Sequence, residues 1–504
     1  MLTAQVIYQH KSRTIIVDPS RTLAQNLFMQ GFLRGVPLCA GIGTCGRCAV
    51  LFHDNPPKTS SKDHEYFSLQ ELNQGLRLGC SHYPGPGQSY EVSESEAPAG
   101  FSWASRDNPV CLGIDIGTTS IKWGFKHSSG LESPGEIINP QMGAGPEIIS
   151  RMSFAREKPG NFDLLRNLLV QELESILDLG QVKDDSICVA GNPAMIHFLL
   201  GRDISGLSVS PYSLDYTGGT SESLSSGAAR FFIPCLWSPF VGADISSGLG
   251  WILEKIRPSY PFLLADFGTN GELVLAISPD RYIVTSVALG PALEGIGLKF
   301  GSPYREGVAS SFVFSDQGLV AKDSWRGDRV SGSGYISLLA HLVRLKIVSA
   351  SGHFTQGPSP ISRRISSRIM DGRFSLGKNF YLDGRDIEEI LKAKAAFTLG
   401  LSFLCTQGEI LPDNLQAIYI AGALGQHSNL SDLETLGFFP PGSSLKSHLV
   451  GNTSLKGAIL LACDKDKREE NISLARYIEP VNLGARQEYI SGQFAKHMAF
   501  EYPY

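Results

Sequence analysis

Four cysteines near the start of this chain have a spacing that suits metal chemistry. Cys39, Cys45 and Cys48 read C-x5-C-x2-C, and Cys80 follows after 31 intervening residues. Four thiolates hold either a structural zinc or an iron–sulfur cluster. Zinc sites usually pair two C-x2–4-C knuckles, and Cys80 has no partner knuckle, so the spacing favours the cluster. It differs from the plant-type [2Fe–2S] pattern C-x4-C-x2-C by one residue in the first gap. Gly41, Gly43 and Gly46 lie among the ligands. A loop that wraps a cluster brings its backbone to the sulfurs, where side chains would obstruct it and N–H groups tune it. The same glycines match G-x-G-x-x-G, but cluster cysteines interrupt the motif, so a dinucleotide site is rejected. The other five cysteines, Cys111, Cys188, Cys235, Cys405 and Cys463, stand singly in apolar surroundings and read as buried thiols.

A second constellation is a repeat. Asp115-Ile-Gly117-Thr118-Thr119 follows the apolar strand Val110–Ile114, and a second strand, Ser120–Phe125, comes after it. Asp266-Phe-Gly268-Thr269-Asn270-Gly271 recurs 151 residues later between the strands Pro261–Ala265 and Glu272–Ile277. Glycine permits a tight turn, and hydroxyl, amide and backbone N–H groups around it suit phosphate. The aspartates suit Mg²⁺, directly or through water, or the orientation of an attacking water. Two further glycine sites are Ser331-Gly332-Ser333-Gly334, ahead of an expected helix Tyr335–Leu345, and Gly422-Ala423-Leu-Gly425, at the end of a strand. The first suits an anion or a ribose hydroxyl at a helix N-terminus. The second leaves room for a nucleotide base. No G-x-x-x-x-G-K-[ST] P-loop is present.

Elements that position these residues can be read from periodicity. Gln5–Tyr8 and Thr14–Val17 suggest a hairpin, and Thr22–Gln30 a helix with Ser20 as its N-cap. Cys48–Phe52 is strand-like, Ser68–Gln74 suggests a short helix before Cys80, and Tyr90–Val92 a last strand. Residues 1–90 carry eight Lys/Arg against five Asp/Glu, net +3. Residues 91–109 carry four acids against one arginine, net −3, and read as a flexible linker whose 19 residues span at most about 60 Å.

Composition bounds the function class. The chain has 504 residues with formal net charge −5 and 18% charged residues, which excludes a disordered chain and argues against a nucleic-acid binder. Its 54 glycines are about 11% of the chain, above the usual 7% or so. No apolar run approaches membrane length, and Met1–Gln5 lacks the start of a signal peptide, so a cytoplasmic protein without membrane or nucleic-acid partners is expected.

Residues Val110 to Ala462 resemble the actin–hexokinase (ASKHA) ATPase superfamily: the Asp115 hairpin resembles its phosphate-1 motif, the Asp266 hairpin its phosphate-2 motif, and Ala421–Gly425 its adenosine motif. The whole chain resembles the reductive activators of corrinoid proteins. Further matches are Asn139-Pro-Gln141, Ile148–Arg151, Gly191–Met195, Gly242–Ile245, the Ser331–Gly334 turn and Gly451–Ser454. The resemblance implies an α+β, β-grasp [2Fe–2S] ferredoxin domain over 1–90, a linker over 91–109, and a two-lobed α/β ATPase over 110–504, with lobes of about 110–255 and 256–504. It implies ATP and Mg²⁺ as cofactors and Asp115 and Asp266 as catalytic residues. The expected activity is ATP-dependent reduction of the Co(II) corrinoid protein of a methyltransferase system to Co(I). An upstream low-potential electron donor is implied, and a homodimer is left open. The alternative is electron donation to another low-potential enzyme, as in dehydratase activators. Members of the family often carry a further domain between linker and ATPase, and the short tether here implies its absence. No cysteine follows Cys463, so no second cluster is expected.

Overall fold

The structure is a computed structural model. It describes every residue except 1, 35, 37, 40, 42, 44, 93–107, 181, 225–228, 317, 377–378, 423–427 and 504. The chain divides into two compact units. One comprises Met1–Ser186, Ala194–Tyr212 and Ser223–Arg230, and the other Ile187–Pro193, Ser213–Glu222 and Phe231–Tyr504.

The first unit begins with a β-grasp fold. Strands β1 (Leu2–Tyr8) and β2 (Lys11–Val17) form an antiparallel hairpin, with β1 also parallel to β5 (Ser89–Val92). Strands β3 (Ala49–Phe52) and β4 (Leu76–Leu78) complete the sheet in the order β2-β1-β5-β3-β4. Alternation buries Val6, Val50 and Tyr90, and helix α1 (Leu23–Met29) buries Leu23 and Leu27. Thr22, not Ser20, caps α1: its hydroxyl accepts from the Gln25 amide while Gln25 answers at the Thr22 amide. Ser20 instead turns its hydroxyl to Asp18.

The sequence reading passes over helix α2 (Ser61–Tyr66), which precedes α3 (Leu69–Asn73). Both carry reciprocal caps, Ser60 with Asp63 and Ser68 with Glu71, a pattern visible in the sequence. Asp63 is fully buried. Its carboxylate accepts from the Leu78 amide at 2.8 Å, the Ser60 amide at 2.7 Å and His82 Nε2 at 2.7 Å. Burial pushes its pKa up, but the amide bonds from Leu78 and Ser60, with His82, outweigh it and hold the group below the usual range. One carboxylate thereby ties α2 to the β4 strand that leads into Cys80.

The remainder of this unit contains β6 (Pro109–Ile116), β7 (Ser120–His127) and β8 (Glu132–Ile138), an antiparallel meander. A 3₁₀ turn (Pro140–Ala144) and helices α4 (Ile148–Glu157) and α5 (Asn161–Gly180) follow. Both flanking strands are longer than their apolar runs, so Asp115 lies inside β6 and not in the turn. Strand β5 runs to Val92 and β6 starts at Pro109, and the expected linker between them falls almost wholly outside the described residues.

The second unit is built on a six-stranded mixed sheet, ordered Ser447–Gly451, Ala417–Gly422, Phe262–Phe267, Asn270–Ser278, Arg281–Ala288, Ile478–Pro480. Phe262–Phe267 pairs antiparallel with Asn270–Ser278 and parallel with Ala417–Gly422. Buried helices Gly332–Arg344 and Gly384–Gly408 pack Tyr335, Leu339, Ile390 and Phe397 into the core on one sheet face. Ser331 caps the first of these, so Gly332, Ser333 and Gly334 form its first turn and do not precede it. Cys188, Cys235 and Cys405 are buried free thiols, as expected. Cys111 is buried as well, whereas Cys463 is exposed at the end of the helix Thr453–Cys463, because the apolar stretch before it ends there. Among the described residues no helix is long and apolar enough to cross a membrane.

Asp63→Asn removes a charge acceptor that serves donors on three segments. We expect it to destabilise the β-grasp fold by about 3–5 kcal/mol, measured as a lower denaturant midpoint for residues 2–92 by hydrogen exchange. Because the folded-state pKa is depressed, the Asp63 contribution is present above the unfolded carboxylate value of about 3.9. It is lost as pH falls through the lower folded value.

Candidate functional site

The cysteine loop is shaped from outside by α2. Tyr66 donates its hydroxyl to the Cys45 carbonyl at 2.8 Å, and Lys62, one helical turn earlier, donates to the Gly41 carbonyl at 3.1 Å. A β-carbon on Gly46 would sit 2.0 Å from the Tyr66 ring, and one on Gly43 2.4 Å from the Lys62 stem. Both glycines have positive φ, +64° and +86°. The Gly43 amide donates to Cys39 Sγ at 3.2 Å. On the other side, the Gly79 amide bonds the Cys48 carbonyl at 2.9 Å, which sets Cys80 beside Cys48.

The four sulfurs come together. Contact with Cys39 and then burial push the Cys45 thiol up. Contact with Cys39 and Cys48, and burial, push Cys80 up, while the hydrogen bond from Cys80 pulls Cys48 down. Cys39 and Cys48 are buried, and Cys45 and Cys80 half-buried. Repulsion between neighbouring thiolates is what a bound cationic metal group would relieve. Among the described residues, no three or more His, Cys, Asp or Glu side chains are arranged to hold a single metal ion. Nor does the sequence reading single out Lys62 and Tyr66; their signal is the capped helix α2.

The Asp115 turn is held from behind through its carbonyls. Asn139 donates from Nδ2 to the Gly117 carbonyl and from its amide to the Thr119 carbonyl, each at 2.9 Å. Arg151 donates from Nη2 to the Thr118 carbonyl at 2.5 Å and from Nε to the Gly145 carbonyl at 2.8 Å. A trans peptide sets N–H opposite to C=O, so the Thr118 and Thr119 N–H groups point away from these anchors. Amides presented on that side would suit an anion. Gly117 is needed because a β-carbon there would lie 2.7 Å from the Ser120 carbonyl.

In the second unit the Asp266 hairpin, the Ser331–Gly334 turn and Gly422 converge. Thr269 donates its hydroxyl to Glu294 at 2.9 Å, and Gly332 lies so close to the Leu293 carbonyl that a β-carbon would be 1.8 Å from it. A β-carbon on Gly422, whose φ is +77°, would lie 2.4 Å from Asp266 Oδ1. Gly268 and Asn270 close the hairpin through an amide-to-carbonyl bond of 3.1 Å. Ala423 and Gly425 lie outside the described residues. Glu272 is a neighbour that the motif reading leaves out. It stands directly opposite Asp266 across the strand pair. Burial first, then the Asp244 and Asp266 carboxylates, push its pKa well above the usual range. The period of two along a hairpin is the sequence signal that puts residues 266 and 272 on one face. Asp244 lies in the first turn of the helix Ala243–Trp251, whose N-cap is Gly242.

A family model described as the C-terminal ASKHA domain of RACo matches residues 261–502, and one described as the RACo middle region matches 110–252. A [Co(II) methylated amine-specific corrinoid protein] reductase of Methanosarcina barkeri is 30% identical over 405 residues, covering 74% of this chain and 73% of that protein. The chain belongs to the family of reductive activators of corrinoid proteins. The corrinoid activation enzyme RamQ of Eubacterium limosum is 26% identical over 422 residues, 76% of this chain and 70% of its own length. A solved reductive activator for corrinoid, iron-sulfur protein shares the fold, with TM-score 0.67, 21% identity and 98% of each chain covered.

As a reductive activator, this chain joins a ferredoxin-like iron–sulfur domain to an ASKHA nucleotide-binding domain. The stretch read from sequence as the first ATPase lobe is the one that matches the family's middle region, so that region is present. The expected absence of that region is corrected accordingly: residues 110–252, which carry the Asp115 hairpin, match it.

Gly46→Ala should lose most of the visible cluster absorbance on anaerobic reconstitution, since both its φ and the Tyr66 ring oppose a side chain. Gly41→Ala, where a β-carbon meets open space, should lose less. Iron counts per chain check the difference.

Proposed function

We propose that the chain is an ATP-dependent activator that returns an inactive Co(II) corrinoid protein to Co(I). The observation that carries this reading is the presence in one chain of a four-thiol loop and two aspartate hairpins of phosphate-binding form. The relatives' names support it, being a corrinoid activation enzyme and a corrinoid protein reductase. The proposed layout, expected from sequence as 1–90, 91–109 and 110–504, is a ferredoxin domain that ends with β5 at Val92, a tether up to β6 at Pro109, and an ATPase whose first lobe is the stretch that matches the family's middle region.

Cys39, Cys45, Cys48 and Cys80 would hold a [2Fe–2S] cluster. The C-x5-C-x2-C spacing with a distant fourth cysteine, one residue from the plant-type pattern, supports this cluster type. When bound, such a cluster supplies one electron at a potential near −400 mV. A deficit of about 100–200 mV against Co(II) corresponds to about 2–5 kcal/mol, since 59 mV is about 1.4 kcal/mol for one electron. Conformational coupling to one effector typically supplies about 1–3 kcal/mol, so a single nucleotide-driven change is of the right size. Thr118 and Thr119, with Gly117, and Thr269 and Asn270, with Gly268, would take the phosphates. Gly332, Ser333 and Gly334 would approach the ribose or an anion, and Gly422, Ala423 and Gly425 the base. Asp115 and Asp266 would orient the attacking water and, with Mg²⁺ bound, share its charge. The partner is the corrinoid protein of a methyltransferase system, and an upstream low-potential donor reloads the protein. The site of action is the cytoplasm.

The decisive assay is anaerobic: reduced protein is mixed with a Co(II) corrinoid protein with and without ATP, and the Co(I) absorption band is followed. ATP should be required. Asp115→Asn or Asp266→Asn should lower the rate about 10²–10⁴-fold while leaving the cluster spectrum intact. An ATP-independent rate would favour electron donation to a different low-potential enzyme.

A further inference from the structure

Two elements of the first unit do double service. The 3₁₀ turn Pro140–Ala144, capped by Asn139, and α4, which carries Arg151, hold the Asp115 turn from behind. The same two elements carry the β-grasp domain. Phe28 of α1 lies so close to Gly143 in the 3₁₀ turn that a β-carbon there would be 2.2 Å from its ring. The Phe28 ring also meets Phe154 of α4 edge to face, with centroids 5.9 Å apart. The Arg21 guanidinium stacks over Phe154 at 5.9 Å and donates to Asn161 Oδ1 at 2.8 Å. Asn161 in turn donates to the Phe154 carbonyl at 2.6 Å. Just beyond α4, Lys158 pairs with Asp18 at 3.2 Å and bonds the Ser20 hydroxyl. Arg21 is 4% exposed and Asn161 1%, so this is a desolvated seat and not a grazing contact.

We propose that this seat is a nucleotide-sensitive dock for the chain's own cluster domain, with Asn139 and Arg151 as the positioning residues that couple it to the Asp115 turn. The inference rests on reading that turn as a phosphate site, and goes beyond that reading. An anion on the Thr118 and Thr119 N–H groups polarises the peptides whose carbonyls Asn139 and Arg151 hold, and strengthens those bonds. The 3₁₀ turn and α4 then lose freedom, and a domain docking on the stiffened surface loses less entropy on binding. Nucleotide therefore favours the docked state, and its departure favours release. Coupling is reciprocal: weakening the dock weakens nucleotide binding by the same factor.

The test uses the full chain with its cluster loaded, under anaerobic conditions. Hydrogen exchange over residues 21–30 and 148–161 is compared with and without Mg²⁺ and a non-hydrolysable ATP analogue. The analogue's Kd is measured by titration calorimetry for the parent, Arg21→Ala and Lys158→Ala. Both changes lie outside the Asp115 turn and its direct holders, and unchanged visible spectra show that the cluster domain is folded. We expect the analogue to slow exchange in both segments about fivefold or more, and each variant to raise Kd by about the same factor. If the parent binds the analogue but exchange and Kd stay within twofold, or change in the opposite sense, the coupling is wrong and the phosphate reading stands. If the parent binds no analogue, the phosphate reading falls and the dock's role falls with it.

Discussion

A guanidinium with no exposure to solvent sits behind the Asp115 turn, and the geometry of that turn depends on it. Desolvating a cation costs several kcal/mol unless hydrogen bonds replace its water. Arg151 recovers this through backbone carbonyls, including those of Thr118 and Gly145. The consequence is directional. With Asn139 taking the carbonyls on either side, the turn shows its amides the other way. Arg151 and Asn139 thus decide which face of the peptide planes the turn presents.

The cysteine loop obeys a similar logic with different parts. Its glycines remove side chains from the loop, and α2 fills the vacated space from outside with the Lys62 stem and the Tyr66 ring. A short helix of six residues has little stability of its own. Asp63, buried and bonded to Leu78 and His82, fixes it to the strand that delivers Cys80. Cys39, Cys45 and Cys48 on one side and Cys80 on the other are thus brought to one place by a carboxylate that is not itself a ligand.

In the second unit the sheet supplies precision that a loop could not. Asp266 and Glu272 face the same way because they are opposed across an antiparallel pair, and Asp266 meets Gly422 because the next strand runs parallel beside it. Three carboxylates, Asp244, Asp266 and Glu272, share one neighbourhood, and burial keeps Glu272 protonated to higher pH than an exposed glutamate. The Ser331–Gly334 turn joins them by way of Glu294, which holds Thr269.

The amino-acid sequence by itself determined the chemistry and most of the elements. The cysteine spacing is legible in one dimension because a loop that wraps a small group closes within a few residues. A tight turn likewise writes its glycine and hydroxyls consecutively. The hairpins, the Ser68 helix and the strands at Val110 and Pro261 were legible because their periodicity is local. Tertiary structure decided what depends on approach between distant segments. Arg151 lies 33 residues from Thr118, and Phe28 lies 115 residues from Gly143. Helix α2 showed its cap but no apolar stripe, and only its partners explain it. Cys463 looked like an ordinary core thiol and is exposed at the end of its helix. Burial and hydrogen bonding are properties of a packed interior, and no spacing along the chain encodes which carbonyl a guanidinium will find there.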